Sequence, residues 1–414
     1  MSHPPEPVAP DFTAPAPTSQ RLLSLDAFRG FIMLLMASAA FGIPGMAHKF
    51  PNDWWWQQIG WHCDHAAWVG CTLWDLIQPA FMFMVGVALT FSVASRAAKG
   101  QGFGRMALHA VWRSLLLILL AVFLTSAWSP HTDWIFTNVL AQIGLGYPLL
   151  FRIAFTSARS QALLAGLILA AYWACFAFWP LPPADFDWSK VGIPADWPHL
   201  TGFAAHWDKN ANFAAHFDQW FLNLFPRDQR FEFNKGGYQT LNFVPALATM
   251  IFGLLAGRLL RGERPMGQKI GHLVLTGLAG LAAGALLAWS GACPMVKRIW
   301  TPSFALFSAG WVLLMLAFFV TVIEWARCRR WALPLVVVGL NPITLYVLFQ
   351  LMGSFITDNV KRHFGAKVFQ SLGSAYDGEN FGSFYEEALR RGTTLLILWL
   401  IVFWMYRRKI VVRL

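Results

Sequence analysis

The sequence predicts an all-α protein, a polytopic integral membrane bundle of about ten or eleven transmembrane helices. Three observations predict it. Hydrophobic residues make up 57% of the 414 positions and charged residues only 13%, about half the charged share of a soluble domain. The mean hydropathy is +0.48. The 22 Trp and 36 Phe suit a bilayer, where aromatic rings sit at the interfaces and between helices.

A hydrocarbon core about 30 Å thick needs ~20 apolar residues per helix. About ten stretches qualify: Ala27–Met46, Leu73–Ser95, Ala107–Ala127, Trp134–Phe155, Gln161–Trp179, Thr240–Leu260, Ile270–Ser290, Phe304–Trp325, Leu333–Phe355 and Thr393–Tyr406. The ninth contains Pro342, which frees a backbone carbonyl and is tolerated where a helix is buried or lines a cavity. Residues 1–20 are rich in Pro and Ala, lack the basic and apolar regions of a signal peptide, and read as a disordered cytoplasmic tail. Residues 21–414 then form one membrane domain. Two segments between spans are too long for turns and read as lids or caps. Pro180–Gln239 is the longer and is expected outside the cytoplasm; Thr357–Arg391 is mixed and polar.

Cations fix the orientation. Short, dense groups fall on alternate loops: Arg96, Lys99 and Arg105; Arg152 and Arg159; Arg258, Arg261, Arg264 and Lys269; Arg327, Arg329 and Arg330; and Arg407, Arg408, Lys409 and Arg413. By the positive-inside rule these loops and both termini are cytoplasmic. The net charge of +11 is explained in this way, and no basic soluble domain or stacking platform points to nucleic acid. Lipid is the expected surrounding partner. The five cysteines contain no C-x-x-C pair, so no zinc ribbon or thioredoxin motif is supported. Cys63, Cys71 and Cys293 would share the outer side, where a disulfide can form.

The richest polar stretch is His62-Cys63-Asp64-His65-Ala66-Ala67-Trp68, followed by Gly70-Cys71-Thr72 and Asp75. Asp75 lies one turn into an apolar span, where an ionisable group needs a partner. His65 is one candidate partner: imidazole exchanges protons near neutrality, and a carboxylate can orient its ring. Asp75 can instead cap the helix or pair with Arg29, and His65 can be a plain interfacial residue. His62, Asp64 and His65 have only loose metal-ligand spacing, and no metal site is expected. Asp26 and Arg29 stand within i,i+3 reach at the first span, either as an anchor or facing an anionic ligand. Asn138, Gln142, Asn242, Asn341, Thr344 and Tyr346 punctuate the spans; such groups more often join helices than touch substrate. Lys297-Arg298 forms a short cationic turn between spans.

The order of motifs resembles a known family. Ser24 to Gly30, His65-Ala66-Ala67-Trp68-Val69-Gly70-Cys71-Thr72, Asp75-Leu76-Ile77-Gln78-Pro79, Val139 to Tyr147, Pro294 to Thr301 and Gly339-Leu340-Asn341-Pro342-Ile343 resemble the transmembrane acyltransferases typified by heparan-α-glucosaminide N-acetyltransferase. That family has bacterial relatives linked by name to N-acetylglucosamine use. The His-x-x-Trp-x-Gly-x-Thr-x-x-Asp-Leu pattern is the most specific match. The resemblance implies an acetyl-CoA-dependent enzyme that acetylates a glucosamine-type amine on the far side of a bacterial inner membrane, often as a homodimer. The active histidine maps onto His65 and the acid onto Asp75. Asp64, Trp68 and Asn341 are the expected substrate contacts, and Arg29, Asn138, Gln142 and Lys297 the expected contacts to CoA. Asn341 and Lys297 are also the candidate oxyanion donors. The family's asparagine at the end of the first helix corresponds here to Ala40, and its Gln-Arg after the Val-Leu pair to Ala141-Gln142. The alternative is a transporter for an amino sugar such as N-acetylglucosamine, suggested by the Pro-broken ninth span and the aromatic loops.

Overall fold

Backbone that crosses a hydrocarbon layer has no water to bond with, so it must pair its own N–H and C=O groups. The computed structural model describes residues 22–377 and 383–412 and meets this demand with helices. In chain order they are α1 (Leu23–Ser38), α2 (Ile43–Ala47), α3 (Trp54–His62), α4 (Ile77–Ala97), α5 (Phe103–Ser126), α6 (Val139–Ala154), α7 (Ala158–Ala177) and α8 (Phe213–Phe221). There follow α9 (Phe243–Arg261), α10 (Met266–Trp289), α11 (Pro302–Val320), α12 (Leu333–Leu340), α13 (Pro342–Phe364), α14 (Val368–Asp377) and α15 (Glu386–Arg407). Among the described residues, nine helical stretches are long and apolar enough to cross a membrane. The chain is a multi-pass helical membrane protein. The tail expected over residues 1–20 lies outside the described residues.

Two expected spans differ in detail. Trp134–Phe155 becomes the shorter α6, because the Asn138 side chain accepts the Ala141 N–H and starts the helix there. Leu333–Phe355 is broken at Asn341: α12 ends, Pro342 opens α13, and the long apolar stretch shifts to Pro342–Phe364. The described residues of the polar segment Thr357–Arg391 are largely helical, taken up by the end of α13, by α14 and by the start of α15. The five cysteines are free thiols, so the disulfide entertained from sequence is not formed.

The described residues form two compact units. The larger spans Pro79–Leu313. Its helices approach closely where side chains vanish. A Cβ on Gly86 of α4 would lie 1.9 Å from the Met250 carbonyl oxygen of α9, and one on Gly253 would lie 2.0 Å from that of Phe83. Small residues let lipid-embedded backbones meet in this way. Buried hydroxyls add cross-links: Ser114 of α5 donates to the Gly144 carbonyl of α6 at 2.6 Å. Exposed apolar side chains such as Leu108, Leu275 and Trp289 are the lipid-facing surface. Between α7 and α9, residues 178–239 fold into short 3-10 turns and α8 around the fully buried Trp207.

The smaller unit contains Leu22–Gln78 and the chain from Leu314 on. Its tightest contact is α1 on α12. A Cβ on Gly30 would sit 1.8 Å from the Leu335 carbonyl oxygen, and one on Gly339 the same distance from that of Asp26. Phe319 packs on Phe28 and Phe31, with ring centroids 5.2 and 5.5 Å away. α14 and α15 pack together, and α15 also meets the turn that follows α1.

These crossings predict a contrast. Gly339→Val or Gly86→Val must push two backbones apart, and is expected to cost about 3 kcal/mol or more. Gly166→Ala in α7, where a Cβ meets nothing within 4 Å, is expected to be neutral or slightly stabilising, by up to about 1 kcal/mol. Thermal unfolding of the purified variants in detergent measures both. A loss of stability for Gly166→Ala equal to that of the other two would refute the packing argument.

Candidate active site

α3 ends at His62, and the chain then turns through Asp64 to Thr72 before entering α4. The entry is locked by a reciprocal pair. The Asp75 N–H donates to the Thr72 hydroxyl at 3.2 Å, and the Thr72 N–H donates to Asp75 Oδ2 at 3.1 Å. This is capping-box chemistry, with an aspartate in the place usually held by Glu or Gln. The Thr72 hydroxyl in turn donates to the Asp64 carbonyl at 2.6 Å, and the Ala66 N–H donates to Asp75 Oδ2 at 3.2 Å. One oxygen of the carboxylate therefore organises the turn. The other, Oδ1, stands 2.7 Å from His65 Nδ1.

Burial makes this arrangement consequential. The Asp75 side chain is 1% exposed and that of His65 34%. A buried carboxylate needs full hydrogen bonding to stay ionised, and Asp75 has two amides and the imidazole. An ionised Asp75 only accepts, so Nδ1 carries the hydrogen and the Nε2 lone pair is left to act as a base. The choice between capping and pairing, open from sequence, is resolved as both. Arg29 is placed elsewhere: its Nη1 donates to Asp26 Oδ1 at 3.4 Å and to the Gly339 carbonyl at 3.3 Å, joining α1 to α12.

The other expected residues divide. Asp64 lies in the His65 turn, exposed, with Oδ1 accepting the His65 N–H at 2.7 Å. Trp68 lies in the same turn and is 5% exposed, a core side chain and not a surface platform. Asn341 is occupied by structure: Nδ2 donates to the Ile410 carbonyl at 3.0 Å and Oδ1 accepts the Val412 N–H at 2.9 Å. It pins the segment after α15 to the junction of α12 and α13. Asn138 caps α6 and donates to the Ala121 carbonyl at 3.1 Å. Gln142 is fully buried, with Nε2 donating to the Phe136 and Thr240 carbonyls at 2.7 and 3.2 Å and Oε1 without a partner among the described residues. Lys297 is 5% exposed, its ammonium 5.9 Å from the Tyr238 ring centroid. The structure thus brings together His65, Asp75 and Asp64, and gives Asn138, Gln142, Asn341 and Arg29 roles in holding helices.

Sequence reasoning left two features of residues 178–239 unnamed. His199 Nδ1 lies 2.6 Å from Asp208 Oδ2, a second imidazole–carboxylate pair. Asp218 of α8 is fully buried; its Oδ2 accepts the Thr240 N–H at 2.8 Å and its Oδ1 has no partner among the described residues. Burial pushes its carboxyl up to about 7, against the pull of the Thr240 amide and the Arg227 charge. The segment's richness in Asp and His was the available signal, but the Thr240 partner lies 22 residues away. The turn after α1 is also unusual. Ala39, Ala40 and Phe41 have φ of 45°, 54° and 50°, the left-handed region that asparagine and glycine tolerate best. The Ala39 carbonyl there accepts from Arg391.

Fold and site together define a multi-pass helical membrane protein with a carboxylate-oriented histidine where its second long span begins. The chain is similar to heparan-alpha-glucosaminide N-acetyltransferase of Homo sapiens, 31% identical over 106 residues, and to that of Mus musculus, 29% identical over 109. Each match covers 26% of this chain and 14% of the relative's length. No family model matches the sequence.

Asp218 yields a pH prediction. In the folded chain the acid holds its proton up to about pH 7, but in the unfolded chain it ionises near its ordinary value. Its contribution to stability is therefore largest at low pH and is lost as pH rises towards 7. Asp218→Asn keeps an acceptor for the Thr240 amide and has no charge to bury. It is expected to raise Tm by several degrees at pH 8 and to make little difference near pH 4. A variant that is less stable at pH 8 would show that the ionised carboxylate is favoured there.

Proposed function

We propose that the chain is an acetyltransferase that moves acetyl from cytosolic acetyl-CoA to the amine of a glucosamine-type sugar on the other side of a bacterial inner membrane. The observation that carries the reading is the His65–Asp75 pair, 2.7 Å apart with its acid buried. The likeness to an N-acetyltransferase favours an amine over a hydroxyl acceptor. With α6 counted as a tenth crossing, both termini lie on one side, and the cation-rich loops put that side in the cytoplasm.

In this reading, acetyl-CoA is too charged to cross lipid, so its thioester must reach His65 within the protein. The neutral amine attacks the thioester carbonyl as His65 Nε2 takes its proton. The tetrahedral intermediate collapses, the C–S bond breaks, and the imidazolium returns the proton to the leaving thiolate. The products are the acetamide and CoA. Asp75 holds the ring in the Nδ1–H tautomer and stabilises the imidazolium by its charge. An acetyl-histidine route would use the same Nε2 as nucleophile.

The broken helix at Asn341 favours a second reading, a transporter for an amino sugar, because discontinuous helices form substrate sites in such proteins. Against it, Asn341 bonds the segment after α15.

Release of CoA thiol from acetyl-CoA in the presence of glucosamine tests the proposal on the purified protein in detergent. His65→Ala and Asp75→Asn are each expected to lower kcat/KM by a factor of about 100 or more. Wild-type rates in His65→Ala would remove the imidazole from the reaction. Glucosamine uptake into proteoliposomes without CoA release would establish transport instead.

A further inference from the structure

α3 carries more apolar surface than its packing uses. Of its nine residues only Gly60 is buried. A Cβ there would lie 2.5 Å from the Ala47 Cβ, so the glycine lets α3 rest directly on α2. Nearby, the Gln57 side chain donates to the Ala47 and Phe50 carbonyls at 3.1 and 2.9 Å. One face of α3 thus holds it in place. Trp54, Trp55, Ile59 and Trp61 lie outside that face and are exposed.

The apolar surface continues into the turn that carries His65. Val69 and Leu73 are half-exposed. A Cβ on Gly70 would stand 4.0 Å from Cζ2 of the Trp61 indole and 3.6 Å from the Ala66 Cβ, so the last indole of α3 borders this turn. Within the turn Asp64 is exposed and His65 partly so. A polar pair is therefore framed by outward apolar side chains.

A contiguous surface of this kind marks contact with a membrane or a partner, and depth decides for lipid. Asp75 is the second residue of Trp74–Ala97, a stretch long and apolar enough to cross a bilayer. Its 2.7 Å bond to Nδ1 sets the imidazole at the edge of the hydrocarbon layer, not in a domain above it. Tryptophan gathers at that edge, where its ring is in lipid and its N–H in water. On the proposed orientation the edge faces away from the cytoplasm, since α4 runs from it to the cationic loop of Arg96 and Lys99. A sugar arriving from solution gains nothing from such a rim. An amphiphile gains about 0.8 kcal/mol for each CH2 it keeps in lipid while its head stands at His65.

We propose that the acceptor amine belongs to the head group of an amphiphile in the leaflet away from the cytoplasm, a glucosamine-type sugar on a lipid chain, which reaches His65 sideways from the bilayer past α3 and Leu73. This rests on the acetyltransferase reading and narrows its substrate class. The chemistry is unchanged: the N–C bond forms as the C–S bond breaks, and the proton passes through His65 to the leaving thiolate.

Two measurements test it. The first compares methyl and dodecyl 2-amino-2-deoxy-β-D-glucopyranoside as acceptors, by CoA thiol release from the full-length protein in phosphatidylcholine nanodiscs. The dodecyl glycoside is expected to have a kcat/KM about ten-fold or more above that of the methyl glycoside. Replacing Trp54 and Trp55 together by Ser is expected to lower that ratio about five-fold. Equal kcat/KM values would overturn lipid presentation and leave the acetyltransferase standing; release from neither would overturn both. The second reads depth without turnover. A nitroxide on Trp55→Cys, with the native cysteines replaced by Ser, is expected to be relaxed more by oxygen, which concentrates in lipid, than by a water-soluble nickel chelate. The reverse order would place α3 in water, and shielding from both would place it against a second copy of the chain. Either result overturns the proposal, whatever the protein catalyses.

Discussion

The Asp75 carboxylate is the interaction on which the rest depends, because its two oxygens serve different masters. Oδ2 binds the amides of Ala66 and Thr72, and Oδ1 meets the imidazole of His65. Helix entry and ring orientation are therefore one structural event. An acid at this depth survives only because every demand on it is met by a donor. The Thr72 hydroxyl, bonded to both the Asp75 amide and the Asp64 carbonyl, extends the lock to the residue before the histidine.

Around this point the chain obeys the economics of a hydrocarbon solvent. Apolar burial does not distinguish helix from lipid, so close packing and interhelical hydrogen bonds must hold helices together. The reciprocal glycine contacts of α1 with α12 and of α4 with α9 supply the first, and the Ser114 and Thr90 hydroxyls the second. Arg29 fits the same pattern: its bond to the Gly339 carbonyl fastens the α1–α12 crossing where two backbones nearly touch.

Much of this was legible in the sequence. Apolar length alone located the long spans, since a bilayer imposes a minimum that few other environments require. His65 and Asp75 were legible because an acid in an apolar span demands a partner and an imidazole stood nearby. Pro342 signalled a break, but hydropathy cannot register a helix that stops at Asn341 and restarts at once. The polar residues in the spans were harder to read. Asn138, Gln142 and Asn341 bond backbone carbonyls or amides of elements distant in sequence, and nothing in their spacing reveals those partners. Asp218 lies in the short helix α8 and Lys209 in the irregular chain before it, where burial is decided by long-range packing. The three left-handed residues after α1 are similarly silent, because alanine and phenylalanine do not advertise positive φ.

The central claim is a statement about one proton, and nitrogen-15 NMR of labelled histidine reads it directly. The neutral histidine side chain in water prefers its hydrogen on Nε2. If the buried acid directs the ring, the neutral form of His65 carries its hydrogen on Nδ1, and Asp75→Asn releases it to the ordinary tautomer. A wild-type resonance with the hydrogen on Nε2 would contradict the account, for the ring's lone pair would then lie on Nδ1, turned to Asp75, and could not take the proton of a nucleophile.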